Sequence, residues 1–416
     1  MVKNPLFLSA GILAFLFYSG IVPVKKCRTF HSLLDKTQIR TLEGWVSSNP
    51  VKSPLFGSSY KTGFVLFRAA SDTAVSEASG DVTLYIPEAI VESFYPGKLY
   101  SRAKTEGGKI PLIESGARLR LSVEKIKKTG FEDSYLVKEA FGLGWEGNSL
   151  LSRLYRFRAV CRLQFKRLMY SWGKAGGLLL ALLTGSREYT EKSISDAFRN
   201  SGLSHILALS GMHLGLFGAV ACFFGRKAGG RNFGDALQLC AVSFFVFFAG
   251  ISPSLFRAFL AALILYLNSL FRMNRPDALT LLSLCFVLHI LIFSNHIFEP
   301  AFMLSYASLG GIIIFGKVFR KIYPVFIPHR LRLSLSDSTA AQLATAPVSI
   351  KLFGTLMPQG IIASLFLAPL VFLFLYTGLF GIIICLILPF LSPPISAIMN
   401  GLYLLISTFV LFFSFR

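Results

Sequence analysis

The chain has 416 residues, 53% of them hydrophobic and 15% charged, against about 25% charged in an ordinary soluble domain. A mean hydropathy of +0.60 over this length excludes a single soluble core, because the apolar residues fall in runs long enough to cross a hydrocarbon layer about 30 Å thick. The net charge of +21, from 42 basic and 21 acidic residues, exceeds what loop anchoring in a membrane protein requires and points to a polyanionic partner, anionic lipid or nucleic acid.

Residues 5–22 form an uncharged apolar run with no A-x-A cleavage site after it, so residues 1–24 are read as a membrane anchor, not a removed leader. Residues 25–150 change in character. Alternating segments at 41–48, 62–69, 81–87, 97–103, 118–126 and 134–140 are punctuated by Gly, Pro and Ser, and one helical stretch, 88–95, interrupts them. Short strands at this spacing with one helix are compatible with an OB-like barrel.

Residues 151–174 carry seven Lys/Arg and no acid, interleaved with Leu, Phe, Tyr, Met and Trp. This is the pattern of a basic amphipathic helix on a membrane surface. A face for a nucleic-acid backbone is the sharper alternative, and either reading puts Arg153, Arg156, Arg158, Arg162, Lys166 and Arg167 at the contact. Residues 175–416 form the membrane part. The run 177–188 is too short to span, and candidate spans follow at 204–224, 236–250, 253–271, 278–294, 300–316, 338–353, 360–376, 378–391 and 395–414. Pro and Gly interrupt several, which favours a compact bundle around a polar interior. The basic loops 225–232, 272–276 and 317–332 belong in the cytoplasm, which leaves residues 25–200 extracytoplasmic.

Polar groups at membrane depth are expensive and mark function by default. His205, Ser210 and His213 lie in apolar sequence, with the two imidazoles two turns apart if one helix holds them. Arg257 lies four residues after Pro253, where it either snorkels or lines a path for phosphates. Glu299 precedes Pro300, and Gln342 lies on a polar helix face with Ser338, Thr339 and Thr345; Asp337 suits that helix's start and Pro347 its break. The six cysteines read as small buried hydrophobes, and no phosphate-binding Gly-rich loop, H-E-x-x-H or metal-ligand cluster is present. No cofactor, metal or enzymatic activity is expected.

The segment FRNSGLSHILALSGMHLGLFG (198–218) resembles the signature that opens the membrane domain of the ComEC-type competence channel family. Phe198, Gly202, Leu203, His205, Leu207, Ala208, Ser210, Gly211 and His213 match it. Residues 251–267 resemble that family's Pro/Ser-x-x-RA helix. Residues 298–315 resemble its D-P-x-F-Q-L-S-F segment, with Glu299 for Asp and Met303 for Gln, and 335–354 resemble its S-x-x-AQ-x-x-T-x-P helix. The resemblance implies a channel that carries single-stranded DNA across the bacterial cytoplasmic membrane in natural transformation. It implies a short form, because the chain ends at Arg416 without the metallo-β-lactamase-like domain of many members. A separate nuclease, a cytoplasmic DNA motor and an oligomeric assembly are then expected partners. Two alternatives stand beside it: a related transporter or envelope scaffold without a role in DNA uptake, and a membrane-embedded hydrolase using Ser210 with His213 or His205. The hydrolase lacks an orienting carboxylate in its segment.

Overall fold

The computed structural model describes residues 5–19, 30–53, 55–56, 59–93, 113–126, 133–144, 150–187, 189–207, 211–324, 326–354 and 357–414. The chain divides into two compact units, one of residues 26–180 and 186–189, the other of residues 1–25, 181–185 and 190–416.

The helical unit opens with α1 (Pro5–Tyr18). At 14 residues it rises about 21 Å, short of a full hydrocarbon layer. The expected strand at 97–103 and the end of the apolar run after residue 19 lie outside the described residues.

The other unit is built on β1 (His31–Ser32), β2 (Thr41–Val46), β3 (Val51–Ser53), β4 (Ser59–Ala70), β5 (Val75–Pro87), α2 (Glu88–Ser93), β6 (Arg118–Lys125) and β7 (Ser134–Gly144). Strand β2 pairs antiparallel with β4, β4 with β5, β6 with β7 and β6 with β2, while β5 and β7 run parallel. Those five pairings close a five-stranded barrel. The order and the single parallel pair, with α2 between the third and fourth barrel strands, are the OB-like topology expected. Strict alternation fills the interior: Leu42, Val46, Phe64, Leu84, Ile86, Leu119, Leu121, Tyr135 and Val137 all point inward and are buried.

Helix α3 (Leu150–Ser171) follows the barrel and closes it, with Ala159 and Leu163 in the barrel's own core. It is amphipathic in the reverse sense to a water-facing helix. Arg158, Arg162, Lys166 and Arg167 are buried, while Leu150, Leu151, Leu154, Phe157 and Val160 are exposed.

The remaining elements are α4 (Gly173–Thr184), α5 (Lys192–Asn200), α6 (Ser204–Leu207), α7 (Gly211–Ala249), α8 (Pro253–Leu270), α9 (Ala278–Ile292), a 3-10 turn (Ser294–Phe298), α10 (Pro300–Ile322), α11 (His329–Phe353), α12 (Gln359–Ile387) and α13 (Ser392–Ser414). Among the described residues, five apolar helices are long enough to cross a membrane: α7, α8, α10, α12 and the helix ending at Ser414.

Helix α7 is two arms, 211–228 and 231–249, that reverse at Gly229 and Gly230. Gly230 has φ +78, a value that only glycine adopts cheaply. The arms pack antiparallel: Arg226 reaches Asp235 at 3.0 Å, and Phe217 meets Phe245 at 4.6 Å between ring centroids. The expected basic loop 225–232 is therefore mostly helix, with the reversal confined to Gly229 and Gly230.

Three span expectations are corrected. Residues 360–376 and 378–391 are not two spans, since α12 runs unbroken from Gln359 to Ile387; Gly378 and Gly381 are buried within it, where packing supports the backbone that propensity disfavours. Asp337 does not start a helix, because α11 begins at His329; instead it accepts from Arg320 of α10 at 3.2 Å. Pro347 does not end α11, which continues to Phe353; packed membrane helices tolerate an interior proline when neighbours support the freed backbone.

Candidate functional site

On the barrel, the outward positions of neighbouring strands bring cations and aromatics together. Trp45 on β2 is opposite Arg118 on β6, and Arg120 on β6 is opposite Glu43 on β2 and Phe141 on β7. Trp45 lies 6.2 Å from Phe67 between ring centroids, and the Arg118 guanidinium lies 4.8 Å over the Phe67 ring. Trp45 and Phe141 are 42% and 56% exposed, which leaves two aromatic surfaces open beside the cations. Glu43 pairs with Arg120 and Arg68, so the patch keeps a positive excess. These residues were not singled out from the sequence, though period-two alternation places 43 and 45, and 118 and 120, on one face each.

The six basic residues expected to form a contact surface separate into two groups. Arg153 is exposed and Arg156 half-buried. Arg158, Arg162, Lys166 and Arg167 turn inward instead, because the apolar residues between them belong to the barrel core. Glu114, itself buried, accepts from Arg162 at 3.3 Å and lies 3.7 Å from Lys166. The Asn49 amide, oriented with its nitrogen toward the carboxylate, donates to Glu114 at 3.3 Å and accepts from Arg158 at 3.1 Å. Burial, then the neighbouring Arg162, pushes the Arg158 guanidinium down to about 10, against the pull of Glu114. It stays charged at neutral pH.

In the helical unit, Ser252 caps α8 with its side chain on the Leu255 amide, and Pro253 takes the first helical position. This start sets Arg257 one turn in. Arg257 is half-buried rather than snorkelled: Nη1 donates to the Ser305 carbonyl of α10, and the guanidinium lies 5.8 Å over the Tyr306 ring. A Cβ on Gly211 would sit 3.2 Å from Arg257 Nη2, so the start of α7 abuts the cation. The Tyr306 hydroxyl lies 3.2 Å from His289 Nδ1, and His289 Nε2 lies 3.0 Å from His296 Nδ1. His296 Nε2 is 3.8 Å from Glu299 Oε1. Arg257 and Glu299, separate in the sequence reading, are thus the two ends of one polar row. Its middle, His289, His296 and Tyr306, was missed, although a histidine inside the apolar run 278–294 was the available signal.

The other expected residues lie apart from this row. His213 is buried and His205 exposed. Helices α6 and α7 carry them separately, and residues 208–210, Ser210 among them, lie outside the described residues. Gln342 donates to the Met357 carbonyl at 2.6 Å. Gly202, at φ +75, would place a Cβ 2.8 Å from Met357 Cβ, so the 198–207 segment packs on the start of α12. Among the described residues no cluster of His, Cys, Asp and Glu fits a metal ion.

A family model described as Competence protein matches residues 182–415. The chain belongs to the competence protein family. ComE operon protein 3 of Bacillus subtilis (strain 168) is 29% identical to this chain over 147 residues, covering 35% of this chain and 19% of that protein. An uncharacterized protein of Aquifex aeolicus (strain VF5) is 29% identical over 223 residues, covering 53% of this chain and 50% of that protein. The aligned region is thus half or less of each of these relatives. No solved structure matches the chain. Family membership and five apolar helices make this competence protein a multi-pass membrane protein.

Proposed function

We propose that this competence protein acts in DNA uptake, as a channel-type protein that passes single-stranded DNA across the bacterial cytoplasmic membrane. The observation that carries the reading is the match of the competence family over residues 182–415, which takes in the helical unit from α5 to α13. Physical chemistry supplies the roles. The barrel patch of Trp45, Phe67, Arg118, Arg120 and Phe141 has the composition of a single-strand platform, with aromatic faces for bases and cations for the backbone. Arg257, held beside a glycine at a helix start, is a bidentate phosphate partner along the path, with His205, His213 and Gln342 as further polar positions.

The barrel is assigned to the extracytoplasmic side by the basic loops 225–232, 272–276 and 317–332; the tight reversal at Gly229 and Gly230 supports counting the two arms of α7 as separate crossings. The exposed apolar stripe of α3 is assigned to the lipid interface, with the exposed Arg153 at its edge. The activity is transport, with no catalytic residue.

Two measurements test the reading. Deletion of the gene in a competent host should abolish internalised fluorescent DNA while surface binding persists. Trp45→Ala should weaken oligo-dT binding by the purified chain about 5- to 150-fold, the effect of about 1–3 kcal/mol for one stacked base. Normal entry after deletion would shift the assignment to a transporter or scaffold outside DNA uptake.

A further inference from the structure

The row from Glu299 to Tyr306 has the connectivity of a proton path. A neutral imidazole offers one donor and one acceptor. With both imidazoles protonated on Nε2, Tyr306 O–H donates to His289 Nδ1 at 3.2 Å and His289 Nε2–H to His296 Nδ1 at 3.0 Å. His296 Nε2 lies 3.8 Å from the Glu299 carboxylate, so a hydrogen bond there requires a small shift of that exposed side chain. Every donor therefore points the same way. The row is buried and clamped at its centre: His289 is fully buried, with the rings of Phe256 and Phe302 each 4.9 Å away, and Phe293 stacks on His296 at 4.8 Å. Glu299, by contrast, has a side chain 48% exposed. Among the described residues, the other charged or titratable groups facing the row are Arg257 from α8, Cys285 from α9, and Tyr18 from α1, whose hydroxyl donates to the Ile297 carbonyl at 3.1 Å.

We propose that Tyr306, His289, His296 and Glu299 form a proton relay between water at Glu299 and the sheltered Arg257–Tyr306 pair. In one hop the Tyr306 O–H bond breaks as a proton forms N–H at His289 Nδ1. His289 releases its Nε2 proton to His296 Nδ1, and His296 releases its Nε2 proton to the Glu299 carboxylate. The products are a Tyr306 phenolate beside the Arg257 cation, two neutral imidazoles in the opposite tautomer, and protonated Glu299. No imidazolium accumulates, and the reverse series returns the proton. For the relay to turn over, water from the opposite compartment must re-protonate the phenolate.

This goes beyond the DNA reading and is measured without DNA. The full chain is reconstituted in vesicles of phosphatidylcholine and phosphatidylglycerol with trapped pyranine, and a valinomycin-clamped potassium potential drives protons inward. Internal acidification should run faster than in protein-free vesicles. Glu299→Gln should bring it down to the protein-free rate, whereas Glu299→Asp should retain it. Tyr306→Phe, which keeps the ring packing, should also abolish it, with an unchanged elution volume in detergent as the folding check. A wild-type rate equal to that of protein-free vesicles would overturn the relay, as would unchanged rates in both Glu299→Gln and Tyr306→Phe.

Discussion

The barrel unit and the helical unit both shelter cations, and they compensate them by different means. In the barrel unit, Arg162 and Lys166 share the buried carboxylate of Glu114. In the helical unit, Arg257 meets a backbone carbonyl and an aromatic face. A shared carboxylate neutralises charge but makes every partner depend on one residue. A carbonyl and a ring stabilise the guanidinium while leaving its net charge available to an incoming anion. The first arrangement suits a structural plug between α3 and the barrel. The second leaves a charge that the proposed phosphate path would use.

That contrast breaks most sharply at Glu114. Glu114→Gln leaves the buried cations without their carboxylate and should cost about 3–5 kcal/mol, read as a lower denaturation midpoint by circular dichroism of the purified chain. Arg257→Gln should change that midpoint far less while lowering DNA entry in the host. A Glu114→Gln protein as stable as wild type would mean that the plug is compensated elsewhere.

The next effect sharpens the helical side. Gly202→Ala forces a side chain into a left-handed backbone at a cost of roughly 1–2 kcal/mol, and its Cβ collides with Met357 as well. A lowered thermal midpoint in detergent is expected.

The smallest effect is a pH dependence confined to the barrel. Tyr135 is buried, its hydroxyl donates to the Lys36 carbonyl at 3.2 Å, and burial, followed by Asp133 and Asp35, raises its phenol above the ordinary value. A raised folded-state value means that the stabilisation is complete below the unfolded phenol value of about 10 and is lost as pH rises beyond it. Barrel stability should therefore fall above about pH 10 in the wild type and fall less in Tyr135→Phe, measured by denaturant titration at each pH.

Much of this was legible in the chain. Period-two alternation predicted strands that coincide with β2, β4, β5, β6 and β7, because a barrel strand with one buried face must alternate. Apolar runs located α7, α8, α10, α12 and α13, because no other solvent accepts them, whereas the expected spans 278–294 and 338–353 fall on α9 and α11, which are not among the five apolar helices long enough to cross a membrane. The basic character of 151–174 was also plain, but its direction was not. Helical spacing says that Arg158, Arg162 and Lys166 share a face with one another; it does not say whether that face meets water, lipid or Glu114, which lies more than forty residues earlier. His289 stood out as a histidine in an apolar run, but its partner Tyr306 was an ordinary residue of an apolar helix until α9 and α10 pack side by side.

Composition and local pattern thus determined that this is a membrane protein with a β-barrel unit, and where its polar oddities lie, since hydropathy and backbone periodicity act over a few residues. Which polar groups meet, which cations turn inward and which aromatics stay exposed were decided only by the tertiary structure, because a charge or hydrogen bond takes its energy from the partner and dielectric that the fold brings to it.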